Sequence, residues 1–384
     1  MANSDLLIVA DENMPAVESL FGHLGTVRRV PGRGLSADQV ADADILLVRS
    51  VSRVDASLLT GSRVGFVGTA TIGTDHIDTQ WLAEQQIGFS AAPGCNAEAV
   101  VDYVLSCLYQ QAAQQGFDLQ DKTIGIVGVG NVGGRLQKRL SALGLNLLLN
   151  DPPRAEQESG FVTLDKLLAE ADIICLHTPL IHEGKHPTWH LMDAERLAAI
   201  KPGAILLNAG RGPVIDNQAL LSLMEQRADL TLILDVWEYE PEVNPALAAY
   251  CEIATPHIAG YSLDGKIRGT YMLYEAWCRQ QGSEPEQALR EFLPPPSLAS
   301  IELNEQTELL DLIRLCYDPY RDDRALRRTL HLPSDAQAKA FDQLRKQYPV
   351  RRELTTLNLH GGSTAQRDMF AAAGFHLLNG SQPD

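Results

Sequence analysis

Residues 122–136 read Lys-Thr-Ile-Gly-Ile-Val-Gly-Val-Gly-Asn-Val-Gly-Gly-Arg-Leu, and they constrain the chain more than any other stretch. Ile124 to Val127 is a short β-branched apolar run of the kind that suits a buried parallel strand. Gly128, Gly130 and Gly133 follow in the spacing G-x-G-x-x-G. Val132, Leu136, Leu140 and Leu143 then repeat on one face of a predicted helix, and a second apolar run, Leu145 to Leu149, ends at Asn150-Asp151. The order is strand, glycine turn, helix, strand, acid. In such a unit the first glycine permits a tight turn, the second admits a pyrophosphate, and the third lets helix and strand pack closely. The helix start favours the phosphates. Asp151 is placed to accept hydrogen bonds from ribose hydroxyls and to repel a 2′-phosphate. The expected ligand is therefore NAD rather than NADP. Gly128, Gly130, Asn131, Val132, Gly133 and Asp151 form its expected cradle.

The rest of the chain repeats the alternation of strand and helix. Leu6–Ala10, Val27–Val30, Ile45–Val48, Val64–Val67 and Ile87–Ser90 read as buried strands before the glycine turn. Ile173–Leu176, Ala204–Leu207, Leu230–Leu234 and Ile253–Ala254 follow it. Alternation predicts open parallel sheets, whose ligands sit beyond the carboxyl ends of the strands. Arg49-Ser50 and the hydroxyl-rich turn Thr69 to Thr74 lie there, and Arg49 offers a fork for a carboxylate or phosphate. So do His177-Thr178, Arg211 between Gly210 and Gly212, Asp235 to Glu240, and His257. Flanking glycines expose the Arg211 backbone and are expected to leave its guanidinium free to reach out. Glu240 and His257 form a candidate carboxylate–imidazole pair, suited to taking a proton from an alcohol as hydride leaves. Asn96 reads as the cap of a long apolar helix, Ala97 to Ala113, expected to be buried between two domains.

At 384 residues the chain exceeds one ordinary core. Its net charge of −17 argues against nucleic acid or an anionic membrane as partner. An anionic small substrate would need a local cluster of Arg and polar donors. The six cysteines are scattered without a C-x-x-C pair, which fits reduced thiols in a cytoplasm. No basic leader, signal core or spanning apolar run is apparent. His182, His186 and His190 share one loop, but their spacing is loose and Pro187 interrupts it, so no metal is expected. Gly282–Gln287 and Pro294–Pro296 mark a linker. Beyond it Ile301–Leu303 reads as a strand, and Thr307–Cys316 and Ala336–Arg345 as helices. Arg321, Arg324, Arg327 and Arg328 form a basic cluster, read as a solvated helix face or else as a group reaching a partner's site.

These motifs together resemble the D-isomer-specific 2-hydroxyacid dehydrogenases. The carrying residues are Gly128 to Gly133 with Asp151, Asn208 to Gly212, Leu234-Asp235-Val236 with Glu240-Pro241, and Thr255 to Gly260. The resemblance covers about residues 1 to 285. It implies that Arg211 binds the substrate carboxylate and 2-oxygen, that His257 is the acid/base, and that Glu240 pairs with it. It also implies that Thr178, Ala209, Gly210, Arg211, Asp235 and Gly260 line the NAD site. Residues 11–15, 68–76, 92–96 and 257–266 resemble one branch of the family, acting on a phosphorylated polyhydroxy acid. That likeness implies substrate contacts from Ser50, Thr71 and Tyr261. His76 stands where the wider family more often has Asn, and no role is read into it. The expected fold is α/β, with two doubly wound parallel-sheet (Rossmann-like) domains plus a C-terminal α+β dimerisation domain. Residues 1–98 with 262–285 would be a flavodoxin-like substrate-binding domain, 99–261 the NAD-binding domain, and 286–384 would form the homodimer. A small-molecule sensing domain is the alternative for that last segment. Another dehydrogenase of the family, or an NAD-sensing corepressor-like protein, stays open as the alternative for the whole.

Overall fold

The computed structural model describes residues 6–378. The chain forms two compact units, Met1–Asn96 with Ser262–Pro295 and Ala97–Tyr261 with Pro296–Asp384. The first holds a parallel sheet of β1 (Leu6–Asp11), β2 (Gly25–Val30), β3 (Ile45–Val48), β4 (Phe66–Thr69) and β5 (Gly88–Ala91), in the order β2-β1-β3-β4-β5. Successive strand residues feed opposite cores. Ile8, Ala10, Ile45 and Leu47 pack with the helices Val17–Phe21 and Leu263–Gln280, while Val9, Leu46 and Val48 pack with Val40, Leu58 and Leu82. Both faces are covered, which is why the central strands β1, β3 and β4 are nearly continuously apolar rather than alternating. The strand order reverses between β1 and β3, so the ends of these strands border the crevice where such sheets take ligands.

The second unit is built on β6 (Thr123–Val127), β7 (Asn146–Asn150), β8 (Ile173–Leu176), β9 (Ile205–Asn208), β10 (Thr231–Leu234) and β11 (Cys251–Ala254). All pair in parallel, in the order β11-β10-β9-β8-β6-β7. The order reverses between β6 and β8, beside the glycine turn. The long helix runs Ala97–Gln115 and is buried on almost every side. Its Asn96 neighbour does not act as a side-chain cap, since Asn96 Oδ1 has no hydrogen-bond partner. The helix packs on the helix Asn131–Ala142 and against Leu309–Cys316 and Pro319–Arg327 from the C-terminal segment. That segment is therefore part of the second unit's core, where Leu354, Leu359, Phe370 and Phe375 join Val101, Leu105 and Leu136.

The C-terminal segment adds a small parallel sheet, β12 (Ser300–Leu303), β13 (Asn358–Gly361) and β14 (His376–Leu377), in that order. Sequence reading located β12 and two of its helices, at Leu309–Cys316 and Ser334–Lys346. It did not anticipate Pro319–Arg327, β13, Thr364–Ala373 or β14. The segment is tied to the long helix through Asp102, which sits in an ion-pair network. Arg139 Nη2 binds Glu98 at 2.5 Å and its Nη1 binds Asp102 at 2.8 Å, while Asp102 also accepts the Leu354 N–H at 2.9 Å. Burial pushes the Asp102 carboxyl up to about 6 against the pull of Arg139.

The basic cluster meets the solvated-face expectation at three of its four positions and departs from it at Arg327. Arg321, Arg324 and Arg328 are exposed, but Arg327 turns inward. Its Nε donates to both Asp323 oxygens at 2.9 Å, Nη1 to the Ala248 carbonyl at 3.0 Å and Nη2 to the Cys251 carbonyl at 2.6 Å. Asp323 in turn accepts the Ala254 N–H at 2.8 Å. Arg327 thus satisfies carbonyls at the end of the helix Pro245–Tyr250. Arg327→Ala should lower stability by about 2 kcal/mol, because it strands a nearly buried carboxylate and two carbonyls. Arg328→Ala should stay within about 0.5 kcal/mol of wild type. Urea unfolding of the two variants checks this contrast.

Candidate active site and cofactor cradle

The glycine turn leaves β6 and enters the helix Asn131–Ala142, whose N-cap, Gly130, carries no side chain to occupy the free N–H groups. A Cβ built on Gly130 meets nothing within 4 Å, so the turn is open there. A Cβ on Gly133 would lie 2.0 Å from the Gly128 carbonyl oxygen, so only glycine lets helix and turn approach this closely. Asn131 is exposed at the helix start and Val132 half-buried. Asp151, just past β7, accepts the Val129 N–H at 2.8 Å through Oδ2 and the Arg154 N–H at 3.2 Å through Oδ1. It fastens the turn, and both oxygens keep acceptor capacity for ribose hydroxyls.

Across the strand reversal, β8 runs into His177-Thr178. Both ring nitrogens of His177 and the Thr178 hydroxyl are buried without a hydrogen-bond partner. They lie beside the turn: a Cβ on Gly128 would meet the His177 carbonyl carbon and the Thr178 nitrogen at 2.9 Å. Buried polar groups are normally satisfied, so an open glycine turn bordered by orphaned donors and acceptors fits a dinucleotide. Burial lowers the His177 pKa to about 4, keeping it neutral.

Arg211 follows β9. Asn208 clamps its turn, accepting the Gly210 N–H at 3.0 Å and donating to the Arg211 carbonyl at 3.0 Å. Ala209 and Gly210 sit half-buried within it. The flanking glycines were expected to free the guanidinium, but Gly212 has a different reason. A Cβ there would fall 1.9 Å from the Trp237 carbonyl oxygen, where the 235–240 segment crosses. Arg211 Nη1 donates to the Gly210 carbonyl at 2.9 Å.

Glu240 and His257 do meet. Glu240 Oε1 accepts the Trp237 N–H at 2.9 Å, and Oε2 lies 2.7 Å from His257 Nδ1. An ionised carboxylate only accepts, so Nδ1 carries the hydrogen and Nε2 is left as the base. Burial raises the Glu240 carboxyl, but the charge and hydrogen bond of His257, the charge of Arg345 and the Trp237 N–H together bring it below its usual value. His257 has φ 55°, in the left-handed region, and is held there through its N–H, which donates to the Asp235 carbonyl at 2.7 Å.

Asp235, expected at the NAD site, is 1% exposed and engaged with its own chain. Its carboxylate accepts the Thr255 hydroxyl at 2.6 Å and the N–H groups of Ile258 and Ala259 at 2.8 and 2.9 Å. Gly260 and Tyr261 follow directly. Tyr261 meets Tyr348 edge-on, with ring centres 5.6 Å apart. Arg351, 5% exposed, donates to the carbonyls of Ala259 at 3.0 Å and Ala99 at 2.6 Å, with its guanidinium carbon 3.7 Å from the Tyr317 ring centre. Neither Tyr348 nor Arg351 was singled out in the sequence, where no local pattern marks them.

In the first unit, Arg49 and Ser50 follow β3, with Arg49 Nη1 3.9 Å from Asp11 at the end of β1. Ser50 is exposed. Thr71 Oγ1 donates to the Gly73 carbonyl at 2.8 Å and lies 2.8 Å from Thr69 Oγ1. His76 Nε2, given no role from sequence, is 2.9 Å from the same Thr69 hydroxyl and orients this chain of hydroxyls.

The loop histidines separate. His186 Nε2 lies 2.7 Å from Glu156, and His182 stacks towards Trp189. Among the described residues, His190, Asp216 and Glu238 bring potential ligand atoms within 4.8 Å of one another. The imidazole, however, straddles them. Nε2 faces Glu238 at 2.6 Å and Nδ1 faces Asp216 at 3.6 Å, and both carboxylates also accept backbone N–H groups of the next helix. With these hydrogen bonds the three side chains clamp the loop onto the helix Asn217–Met224.

Residues 98–259 match the family described as the D-isomer specific 2-hydroxyacid dehydrogenase, NAD binding domain, the class that this fold and the Arg–Glu–His set define. Residues 292–374 match a domain of unknown function (DUF3410). The chain is 52% identical over 381 residues to erythronate-4-phosphate dehydrogenase of Pseudomonas entomophila (strain L48), covering 97% of this chain and 99% of that protein. It is 51% identical to the protein of that name from Marinobacter nauticus, covering 97% and 100%. A solved structure from Thermus thermophilus is 27% identical, with a TM-score of 0.62, and covers 73% of this chain and 99% of its own. The NAD+-bound 3-phosphoglycerate dehydrogenase of Entamoeba histolytica, at 24% identity and a TM-score of 0.63 over 73% of this chain and 97% of its own, shares the fold. The chain belongs to the erythronate-4-phosphate dehydrogenase family, within the D-isomer-specific 2-hydroxyacid dehydrogenases.

His177 makes stability depend on pH. An unfolded histidine binds a proton below about pH 6.5, whereas the folded one resists it down to about 4. Its contribution is fully present above pH 6.5 and is lost as pH falls towards 4, amounting to about 3 kcal/mol across that window. His177→Phe should flatten the loss between pH 6.5 and 4. Urea unfolding at several pH values checks it, and an unchanged slope would refute the assignment.

Proposed function

We infer that this chain oxidises 4-phospho-D-erythronate at C2 to 2-oxo-3-hydroxy-4-phosphobutanoate, with NAD, in the biosynthesis of pyridoxal 5′-phosphate. The observation that carries this reading is the full-length identity to erythronate-4-phosphate dehydrogenases, with Arg211 present and Glu240 and His257 paired. When bound, NAD supplies the hydride acceptor.

His257 Nε2 takes the C2 hydroxyl proton. Glu240 holds the opposite ring nitrogen and stabilises the imidazolium that results, so the proton can be returned in the reverse direction. Arg211 holds the substrate carboxylate through two N–H groups and stabilises the carbonyl oxygen as it forms. Ser50, Thr71, Tyr261 and Arg49 contact the hydroxyls and phosphate. Gly128, Gly130, Asn131, Val132 and Gly133 cradle the pyrophosphate, and Asp151 takes the adenosine ribose. Thr178, Ala209, Gly210, Arg211, Asp235 and Gly260 line the remainder of the cofactor site. The role of Asp235 there is largely to shape the loop bearing His257.

Residues 1–98 with 262–285 act as the substrate-binding domain and 99–261 as the NAD-binding domain. Residues 286–384 form a homodimer. Leu298, Leu315, Leu332, Val350 and Met369 are exposed apolar side chains on that last segment, and a partner would cover such groups. The cysteines of the described chain are all free, which suits the cytoplasm.

Turnover of the purified protein tests the reading, comparing 4-phospho-D-erythronate with 3-phosphoglycerate in the presence of NAD and a 2-oxo acid as final acceptor. Strong preference for the erythronate is expected, and preference for 3-phosphoglycerate would overturn the substrate. His257→Ala should reduce kcat by roughly 10²–10⁴-fold; a loss under about threefold would remove His257 from the chemistry. Arg211→Lys, which loses the planar fork, should raise KM and lower kcat. Equal use of NADP would count against Asp151.

A further inference from the structure

Arg345 comes from the helix Ser334–Lys346, nearly ninety residues after His257, yet it lies against the catalytic strip. Its guanidinium carbon is 5.5 Å from the centre of the Tyr261 ring and 5.8 Å from that of Phe341. Its charge acts on both Tyr261 and Glu240. Its Nε is buried and donates to nothing. Three residues on, Tyr348 meets the Tyr261 ring edge-on at an interplanar angle of 88°, while its own hydroxyl donates to Asp322 at 2.7 Å. Tyr261 is therefore bracketed, with Tyr348 edge-on to its ring and the Arg345 guanidinium beside it.

A half-buried guanidinium with a buried, unmet Nε is costly. Packing alone would be served better by an apolar side chain of similar length. The cation that is kept here lies over the ring of a residue expected to contact substrate, and its charge acts on the carboxylate that orients the base. We propose that Arg345 is a positioning residue for the oxidation: it holds Tyr261 so that its hydroxyl is oriented to bind substrate and sets a permanent positive charge behind the Glu240–His257 pair. The C-terminal segment thereby completes the active site of its own chain, separately from any part it takes in the dimer. This rests on the substrate role given to Tyr261 above.

The test is a double-mutant cycle in the full-length protein, with 4-phospho-D-erythronate, NAD and a 2-oxo acid, measuring KM and kcat separately. Loss of the cation beside the Tyr261 ring should let Arg345→Met raise KM about tenfold or more, with a smaller fall in kcat. Arg345→Lys should recover part of that loss, since it keeps the charge but not the fork. Tyr261→Phe should raise KM as well, and Arg345→Met combined with Tyr261→Phe should be little worse than the poorer single variant. Effects that multiply in the double variant would show that Arg345 acts independently of Tyr261 and would overturn the proposal. Normal KM in Arg345→Met, beside a raised KM in Tyr261→Phe, would overturn it while leaving Tyr261 its role. A normal KM in Tyr261→Phe would remove that role and the proposal together. If Arg345→Met fails to fold, the cycle is run with Arg345→Lys, for which the same outcomes decide.

Discussion

The Asp235 carboxylate is the interaction on which the catalytic strip depends. One side chain, 1% exposed, accepts a hydroxyl and two backbone N–H groups from residues 255–259. Its own carbonyl takes the N–H of His257, which has positive φ. An ionised carboxylate with three donors is far stronger than the same donors left to neutral acceptors. A histidine is strained in the left-handed region, and it persists there because the surroundings over-determine it. The strain aims the ring at Glu240, and so the proton on Nδ1 and the base on Nε2 follow from the way Asp235 folds the loop.

The same strip is held from its other side by residues that lie far along the chain. Arg351 binds the Ala259 carbonyl and reaches the long helix at Ala99, while Tyr348 packs on Tyr261. Asp102, in that helix, receives Arg139 and the Leu354 N–H. The chain is acidic overall, with net charge −17, yet its inward-turned cations converge where backbone carbonyls need donors. Among the described residues seven acids are buried against one cation, Arg351, and inward or half-buried arginines such as Arg139, Arg327 and Arg351 are placed where carboxylates or backbone carbonyls need a donor.

The alternating strands were legible in the sequence because both faces of each sheet are covered. A strand buried twice is apolar throughout, and its end is marked by the first polar residue, as at Arg49 and His177. Glu240 and His257 could be paired in advance because both follow adjacent strands. The tertiary contacts were not legible. Gly212 looked like a means of freeing Arg211, and only the structure shows the Trp237 carbonyl against it. Arg327 looked like one of four solvated arginines, but one turn of helix separates a charge facing water from one satisfying carbonyls. β13 and β14 are too short to have a period of their own, and His376–Leu377 is a strand only because Asn358–Gly361 lies beside it. Arg345 and Arg351 carry no motif, since what they serve is more than eighty residues away in sequence.

The interleaving of the units bears on how the protein is made. The helix Ala97–Gln115 is synthesised before residue 120, but the side chains that cover it at Leu354, Leu359 and Phe370 are among the last to leave the ribosome. Until residues 354–370 emerge, the nascent chain holds a helix covered only by its own sheet and by Asn131–Ala142, and its Asp102 lacks the Leu354 N–H. Domains usually fold as units while the chain emerges; here the core of the nucleotide-binding unit is complete only once the C-terminal segment joins it. A ribosome stalled beyond the glycine turn would release a chain with the cofactor motif written in it and no finished core to present it, a substrate for chaperones and proteases.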